Sequence, residues 1–408
     1  MNCRHCQSLI NSVVLDLGYS PPSNSFLSKD DLSKQEVYLP LRVFVCEVCW
    51  LVQTADYVAS TDLFSSTYVY FSSTSSSWMI HIAKYVEMVV GRFGLSEDSQ
   101  VIEIASNDGY LLKDFVRRGI PSLGIEPTDS TADEADRQGV KTMRRFFTKD
   151  LATELIADNI KADLIIGNNV YAHVPDINDF TAGIATLLKK DGVVTLEFPH
   201  LLELIRNNQF DTVYHEHFSY LSLITVCQIF ESQGLKVFDV EKIQTHGGSL
   251  RVYGCQFDSV HLNDTNAVEK IIAEELEMNL NSADGFEWIQ GRAEATKFEF
   301  LTYLIKQKDK QKRVIGYGAA AKGNTLLNYA GVKSDLIEYV VDGALSKQNK
   351  FLPGSHIPVK APWELDIVSG ESLFIFPWNI SSEVKAIIEN RFSDLPKILV
   401  AIPRVTEI

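Results

Sequence analysis

The sequence predicts an α/β protein built on a doubly wound, mostly parallel sheet. A small cysteine-bearing module precedes that sheet and a second, Rossmann-like unit follows it. Three observations carry this expectation. Apolar strand-like runs alternate with helical periods between Gln100 and Phe198, and such alternation builds parallel βαβ units. Two CxxC pairs, Cys3/Cys6 and Cys46/Cys49, fall close together near the N-terminus. A second strand-turn-helix pattern opens at Arg313-Val314-Ile315-Gly316-Tyr317-Gly318.

A chain of 408 residues is too long for one compact core, so two or three domains are expected. Residues 1–75 read as a zinc-binding module, 76–285 as the central ligand-binding domain and 286–408 as the C-terminal Rossmann-like domain. The 45% hydrophobic and 22% charged content is that of an ordinary soluble globular protein. A net charge of −15 argues against a nucleic-acid partner, because phosphate backbones are met by basic faces. No apolar run approaches the roughly 20 residues of a membrane span, and Met1 to Cys6 lack the apolar stretch of a signal peptide. A cytoplasmic protein with no membrane partner is therefore expected. Of the six cysteines, Cys227 and Cys255 stand apart in apolar surroundings and read as reduced core residues.

The two CxxC pairs each offer one edge of a tetrahedral ion. Four soft thiolates with no open position specify a structural zinc, whereas a redox CxxC is normally single. Leu39, Leu41, Val43 and Val45 alternate as a strand entering the second pair. Such a module holds an N-terminus folded where its own core is too small. A nucleic-acid ribbon is the competing use of the same ligands, and the surrounding acidity argues against it. Next comes Tyr68-Val69-Tyr70-Phe71-Ser72-Ser73, whose phenols and hydroxyls suit a polar ligand such as a sugar or a carboxylate. From 79 to about 94, Ile80, Ile82, Tyr85, Val86, Val89 and Val90 follow a helical period.

In the central part, Val101 to Ala105 reads as a buried strand ending at the turn Ser106-Asn107-Asp108-Gly109, with a helix from Tyr110 to Arg117. A strand, a tight turn and a helix bring backbone N–H groups to a ligand at the sheet's carboxyl edge. The next strand ends in Glu126, whose carboxylate is placed to accept from both hydroxyls of a ribose. A third strand ends before Asn168, which is placed to reach the same ligand, with His173 on the loop above. The first turn has Ala105, Asn107 and Gly109 where a dinucleotide fingerprint wants several glycines. That favours an adenosine-amino acid such as S-adenosylmethionine over a pyrophosphate. Leu235 to Ile243 and Ser249 to Cys255 read as a closing antiparallel pair, with Thr245-His246-Gly247-Gly248 as the turn.

The segment Asp211 to Tyr220 is the densest in titratable groups, with Tyr214-His215-Glu216-His217 at its centre. Histidine takes and returns a proton near neutral pH, so this segment is a candidate catalytic loop. A polar loop with incidental histidines, or a metal pair at His215 and His217, is the competing reading. The four cysteines already account for a zinc. Farther on, Gly316, Gly318 and Gly323 permit close approach and Lys322 adds positive charge at a helix start, an arrangement that suits phosphate.

Taken in order, these pieces resemble the S-adenosylmethionine-dependent sugar C-methyltransferases that act on nucleotide-linked 4-keto-deoxysugars. The matching motifs are the four cysteines, Tyr68 to Ser73, Glu103 to Leu112, Tyr214 to His217, His246 to Arg251, Gly316 to Asn324 and Pro377-Trp378-Asn379, so the resemblance spans nearly the whole chain. It implies a class I methyltransferase fold for the central domain, with S-adenosylmethionine as cofactor and structural Zn2+. Cofactor contacts would come from Glu103, Ala105, Asn107, Gly109, Tyr110, Leu111, Glu126, Pro127 and Asn168. The degenerate Rossmann domain would help to hold the nucleotide, of dTDP or GDP type, and Ser72, Ser73, His246, Arg251, Gly318, Lys322 and Asn324 would contact the substrate.

Carbon methylation needs a carbanion equivalent, and a neighbouring ketone supplies one as an enolate. On this reading His217 removes the proton at C3 of the 4-keto sugar and Glu216 orients it or tunes its basicity. Tyr214, His173 and Tyr68 or Tyr70 would contact the sugar or stabilise the enolate. A monomer or weak dimer is expected. Two other functions fit parts of the sequence: an NAD-dependent oxidoreductase on a sugar nucleotide, using Gly316 to Gly323, and a non-catalytic zinc-ribbon interaction protein.

Overall fold

A computed structural model of the chain describes residues 1–57, 76–261 and 266–408, apart from the side chains of Ser76 and Ser77. Tyr68, Tyr70, Ser72 and Ser73 lie outside the described residues. The described residues form three sheets.

The first begins with β1 (Val13–Ser20), β2 (Leu39–Val45) and β3 (Val52–Thr54), an antiparallel meander. The alternation in β2 turns Leu41, Val43 and Val45 inward, each buried, as a period of two requires. β1, with its irregular register around Gly18, carries no comparable signal and was not anticipated.

The central sheet supplies β4 (Val101–Ile104), β5 (Ser122–Ile125), β6 (Thr142–Met143), β7 (Ala162–Asn168) and β8 (Leu188–Pro199). The chain then returns to the first sheet, where β9 (Ser219–Tyr220) pairs antiparallel with β3. It comes back as the hairpin β10 (Leu235–Ile243) and β11 (Ser249–Gln256), in the order β10-β11-β8-β7-β4-β5-β6. All pairs from β8 to β6 are parallel, and β8–β11–β10 are antiparallel. The connection reverses direction between β4 and β7, and ligands of such sheets bind at the carboxyl ends of the strands at that point.

The helix Ser76–Phe93 covers one face of this sheet. Ile82, Tyr85, Val86 and Val89 are buried at i, i+3, i+4, i+7 spacing, while Ile80 points to solvent, so the apolar stripe is narrower than the sequence period implies. Cys255 is buried in the core and Cys227 is half-buried.

Helices Ala267–Glu277 and Ile289–Asp309 lead to the third sheet. Its strands are β12 (Val314–Tyr317), β13 (Val340–Val341), β14 (Val359–Lys360), β15 (Ser372–Ile375), β16 (Lys397–Val400) and β17 (Thr406–Glu407). The order is β14-β13-β12-β15-β16-β17, parallel throughout except at β17. Among the described residues, no helix is long and apolar enough to cross a membrane.

Candidate active site

A cavity of about 600 Å3 opens at the carboxyl ends of β4, β5 and β7 and extends under the 212–217 segment to the C-terminal sheet. That volume suits a small-molecule site. Its floor is the turn after β4, where Ala105 (φ 57°), Asn107 (φ 50°) and Gly109 (φ 72°) adopt left-handed backbone. Held in a non-glycine residue such as Ala105, this conformation is strained, and strain of this kind clusters at functional sites. Ala105, Asn107, Tyr110, Glu126, Pro127 and Asn168 line the cavity. Gly109 sits behind them, where a Cβ would crowd Val140 Cγ2 at 3.0 Å and Ala135 Cβ at 3.1 Å. Glu103 and Leu111, also expected at the cofactor, are fully buried beneath the turn and do not line the cavity.

Glu126 is held by two backbone donors. Asn107 N–H donates to Oε2 and Thr128 N–H to Oε1, each at 3.0 Å. Burial raises its pKa, while these bonds oppose that shift. A carboxylate oxygen accepts more than one hydrogen bond, so both oxygens keep acceptor capacity for hydroxyl donors from the cavity side. Opposite it, both polar atoms of the Asn168 carboxamide are buried with no hydrogen-bond partner among the described residues. Leaving such a group unpaired costs about 1–3 kcal/mol. A ligand with its own donor and acceptor removes that cost, and a nucleoside-bearing amino acid has both.

The 212–217 segment forms the roof. The short turn Phe210–Thr212 ends at Val213, and Tyr214, Glu216 and His217 face the cavity with His173. His217 Nδ1 lies 2.9 Å from the Thr212 carbonyl. A carbonyl only accepts, so Nδ1 carries the hydrogen and Nε2 presents its lone pair. Burial first, and His173 second, hold the His217 pKa well below its ordinary value, so the imidazole is neutral at physiological pH. His173 meets it edge-on at 4.6 Å between centroids and Tyr214 lies over it at 3.9 Å. Burial lowers His173 to about 4.

Of the two roles expected for Glu216, orienting His217 or tuning its basicity, the first falls to the Thr212 carbonyl. Asn24 Nδ2 donates to Glu216 Oε1 at 2.7 Å, and burial pushes Glu216 up to about 7. Ionising it in the fold is unfavourable, so its contribution to stability is intact below about pH 4.5 and lost as pH rises through 7. Glu216→Gln removes the ionisable proton in a near-isosteric side chain. It is expected to raise stability at pH 8 by on the order of 3 kcal/mol and to bring no gain at pH 4.5, as thermal unfolding at the two pH values will show. His215 points away from the cavity, with Nε2 3.2 Å from the Pro40 carbonyl. No His215–His217 metal pair forms.

The far wall belongs to the C-terminal unit. Lys322 lines the cavity beside His246, with its ammonium 4.1 Å from the Trp378 ring centre and 3.2 Å from Asn379 Oδ1. Burial lowers Lys322 to about 8, and Asp211 opposes that shift. Burial also holds His246 at about 4, with Lys322 adding to the effect. Trp378 Nε1–H donates to Asp211 Oδ2 at 2.8 Å. Gly247 (φ 92°) is required where the hairpin meets this ring, because a Cβ would fall 2.3 Å from it.

Three residues expected at the substrate do not line the cavity. Arg251 is 2.6 Å from Glu197 and 2.9 Å from Glu241 in a largely buried ion-pair network. Asn324 Nδ2 donates to the Ser23 carbonyl at 2.6 Å, tying the helix Ala321–Ala330 to the N-terminal unit. Gly318 (φ 86°) abuts Pro377. At the same turn Asp342 accepts from Ala319 N–H at 2.7 Å and Ala344 N–H at 2.8 Å. The chain's own carboxylate thus takes an amide that a pyrophosphate would use in a dinucleotide fold. Asn24, Trp78 and Lys347 line the cavity and were missed, since nothing in their local sequence distinguishes them.

The four cysteine sulfurs lie within 4.8 Å of one another, with Cys3–Cys49 at 3.5 Å and Cys6–Cys46 at 3.4 Å. A tetrahedral zinc with Zn–S near 2.3 Å sets sulfurs about 3.8 Å apart. The set fits that ion.

Residues 3–64 match a family model described as a zinc binding domain, 81–240 one described as a methyltransferase domain and 244–403 one described as a C-methyltransferase C-terminal domain. The C-methyltransferase NovU of Streptomyces niveus is 34% identical over 94% of this chain and 90% of its own length. The chain belongs to that C-methyltransferase family. As a C-methyltransferase it is an enzyme, and its four clustered cysteines fall within the matched zinc binding domain. A shorter match, 26% over 23% of this C-methyltransferase and 40% of the relative, is to the ubiquinone biosynthesis O-methyltransferase of Pelagibacter ubique. A solved Burkholderia thailandensis 1,6-didemethyltoxoflavin-N1-methyltransferase aligns with 51% of this chain and 95% of that one, at 14% identity and a TM-score of 0.37.

Proposed function

We propose that this C-methyltransferase adds a methyl group to C3 of a nucleotide-linked 4-keto-deoxysugar through an enolate, with His217 as general base. The observation that carries the reading is the His217 tautomer. Its Nδ1–H is committed to Thr212, leaving a neutral Nε2 at the cavity, the form a general base needs. When bound, S-adenosylmethionine supplies an electrophilic methyl group. Asn107, Glu126 and Asn168 would hold it at the carboxyl edge of β4, β5 and β7.

A carbon beside a ketone loses a proton only if the developing oxyanion is stabilised. His217 is a weak base because burial depresses its pKa, so that stabilisation must come from donors at the cavity wall. We assign that role to Tyr214 and His173, which line the cavity, together with Tyr68 and Tyr70. Lys322 and His246 face the same space from the other side, and we assign them to the nucleotide end of the substrate. Lys322 carries the positive charge there that a diphosphate requires. The proposed arrangement keeps the three parts of the chain in the roles expected for 1–75, 76–285 and 286–408.

Methyl transfer to dTDP-, GDP- and UDP-linked 4-keto-deoxysugars, each beside its 4-hydroxy counterpart, tests this. A methylated product from a keto sugar and none from its alcohol supports the enolate. Equal methylation of the alcohol would contradict it.

A further inference from the structure

We infer that the N-terminal zinc module is the positioning frame of His217, acting through Thr54 and Arg4. The inference rests on the proposed role of His217 and concerns what holds that side chain in place.

The segment carrying His217 continues directly into β9, and β9 is an edge strand of the zinc module's sheet, with Gln53 opposite Ser219 and Val52 opposite Tyr220. Thr54 closes this pairing at the base itself. Its Oγ1–H donates to the His217 carbonyl at 2.9 Å and its N–H to the Phe218 carbonyl at 3.1 Å. Phe218 N–H in turn donates to the Ala172 carbonyl at 2.8 Å, next to His173.

The same strand is fastened to the cysteines. Gln53 Nε2–H donates to Cys3 Sγ at 3.4 Å, and its Oε1 accepts from Arg4 N–H at 3.0 Å. Such outer contacts orient metal ligands and are oriented by them. Arg4, between the first two cysteines, donates to the Thr54 carbonyl and the Pro175 carbonyl, each at 2.9 Å. Its guanidinium lies 4.9 Å from the centre of the Phe218 ring. Arg4 therefore touches the module, the residue after His217 and the loop after His173 at once.

The four cysteines come from two chain segments, 3–6 and 46–49, and the ion ties them together. Zinc is then required for the placement of 217–220, whereas the central sheet, which shares a core with Cys3, Ile10, Cys46, Cys49 and Leu51, is also held by its own strand pairing and by the helix Ser76–Phe93 on its other face. Thr54 and Arg4 are positioning residues, since neither lines the cavity.

Two measurements on the full-length protein test this. In the zinc-loaded enzyme, Thr54→Val removes the hydroxyl at nearly constant volume and Thr54→Ser keeps it. Thr54→Val is expected to lower kcat about tenfold, the loss of one buried hydrogen bond. Zinc content and the KM for S-adenosylmethionine should stay unchanged, and Thr54→Ser should recover most of the loss. In the wild type, chelating the zinc is expected to speed amide exchange at Phe218, Ser219 and Tyr220 at least about tenfold. S-adenosylhomocysteine binding and exchange in β4, β7 and β8 should stay as they were.

Wild-type kcat in Thr54→Val, or equal impairment in Thr54→Ser, would overturn the assignment. Unchanged exchange at 218–220 would overturn it too, as would loss of S-adenosylhomocysteine binding in step with zinc, which would make the module a global folding element. The exchange readout does not depend on catalysis, so it separates this inference from failure of His217 as the base.

Discussion

Replacing His217 with Asn is expected to lower kcat by on the order of 10²–10⁴-fold, the usual contribution of a positioned general base. Asn keeps a donor for the Thr212 carbonyl, so the segment should hold its course while the Nε2 lone pair is lost. S-adenosylhomocysteine affinity, measured by calorimetry, should be unchanged, because the floor of the cavity around Asn107 and Glu126 is built by other elements. The pH profile carries a second signature. Burial and His173 depress the His217 pKa, so the base is already deprotonated at neutral pH. The acid limb of kcat/KM should therefore fall well below the ordinary histidine value, and Asn should abolish that limb. Wild-type turnover in His217→Asn would remove the residue from the mechanism.

Glu126→Gln is expected to weaken S-adenosylhomocysteine binding about ten- to a hundredfold. A charge-assisted bond is worth about 1.5–3 kcal/mol, and the amide offers one acceptor where the carboxylate offers two. The substitution also replaces one of the acceptors for Asn107 N–H and Thr128 N–H with a donor. Some loosening of the turn after β4 should follow, visible as lower thermal stability even without ligand. Because the site of chemistry is left alone, kcat at saturating cofactor should change far less than affinity. An unchanged Kd would mean that the carboxylate serves only the two backbone amides.

Much of this architecture is legible in local sequence because its causes are local. The alternation of Leu41, Val43 and Val45, the run Val101 to Ile104 and the cysteine spacing each reflect a constraint within a few residues. Asn168 and Glu126 could be placed because strand ends in a doubly wound sheet converge by topology. The remainder is long-range. Asn24 reaches Glu216 across 192 positions in the chain, and β9 leaves the central domain to pair with β3. No periodicity in Ser219-Tyr220 announces that partner. Arg251 and Asn324 illustrate the opposite error. Both sit in motifs, yet the Arg251 guanidinium is taken up by Glu197 and Glu241 and the Asn324 Nδ2 by the Ser23 carbonyl, so residue type and position failed to separate a structural pair from a ligand contact. The sequence suggests that Glu216 orients His217 or tunes its basicity, while the fold turns its carboxylate toward Asn24.

The central claim is that methylation occurs at the carbon whose proton is removed beside the ketone, and C3 and C5 both flank a ketone at C4. The measurement that tests it most directly uses a nucleotide-linked 4-keto-deoxysugar carrying deuterium at C3, with the methylated product analysed by mass spectrometry and NMR. The account predicts a product with a new carbon-bound methyl group at C3 and no deuterium there. A methylated product that keeps the C3 deuterium would contradict it.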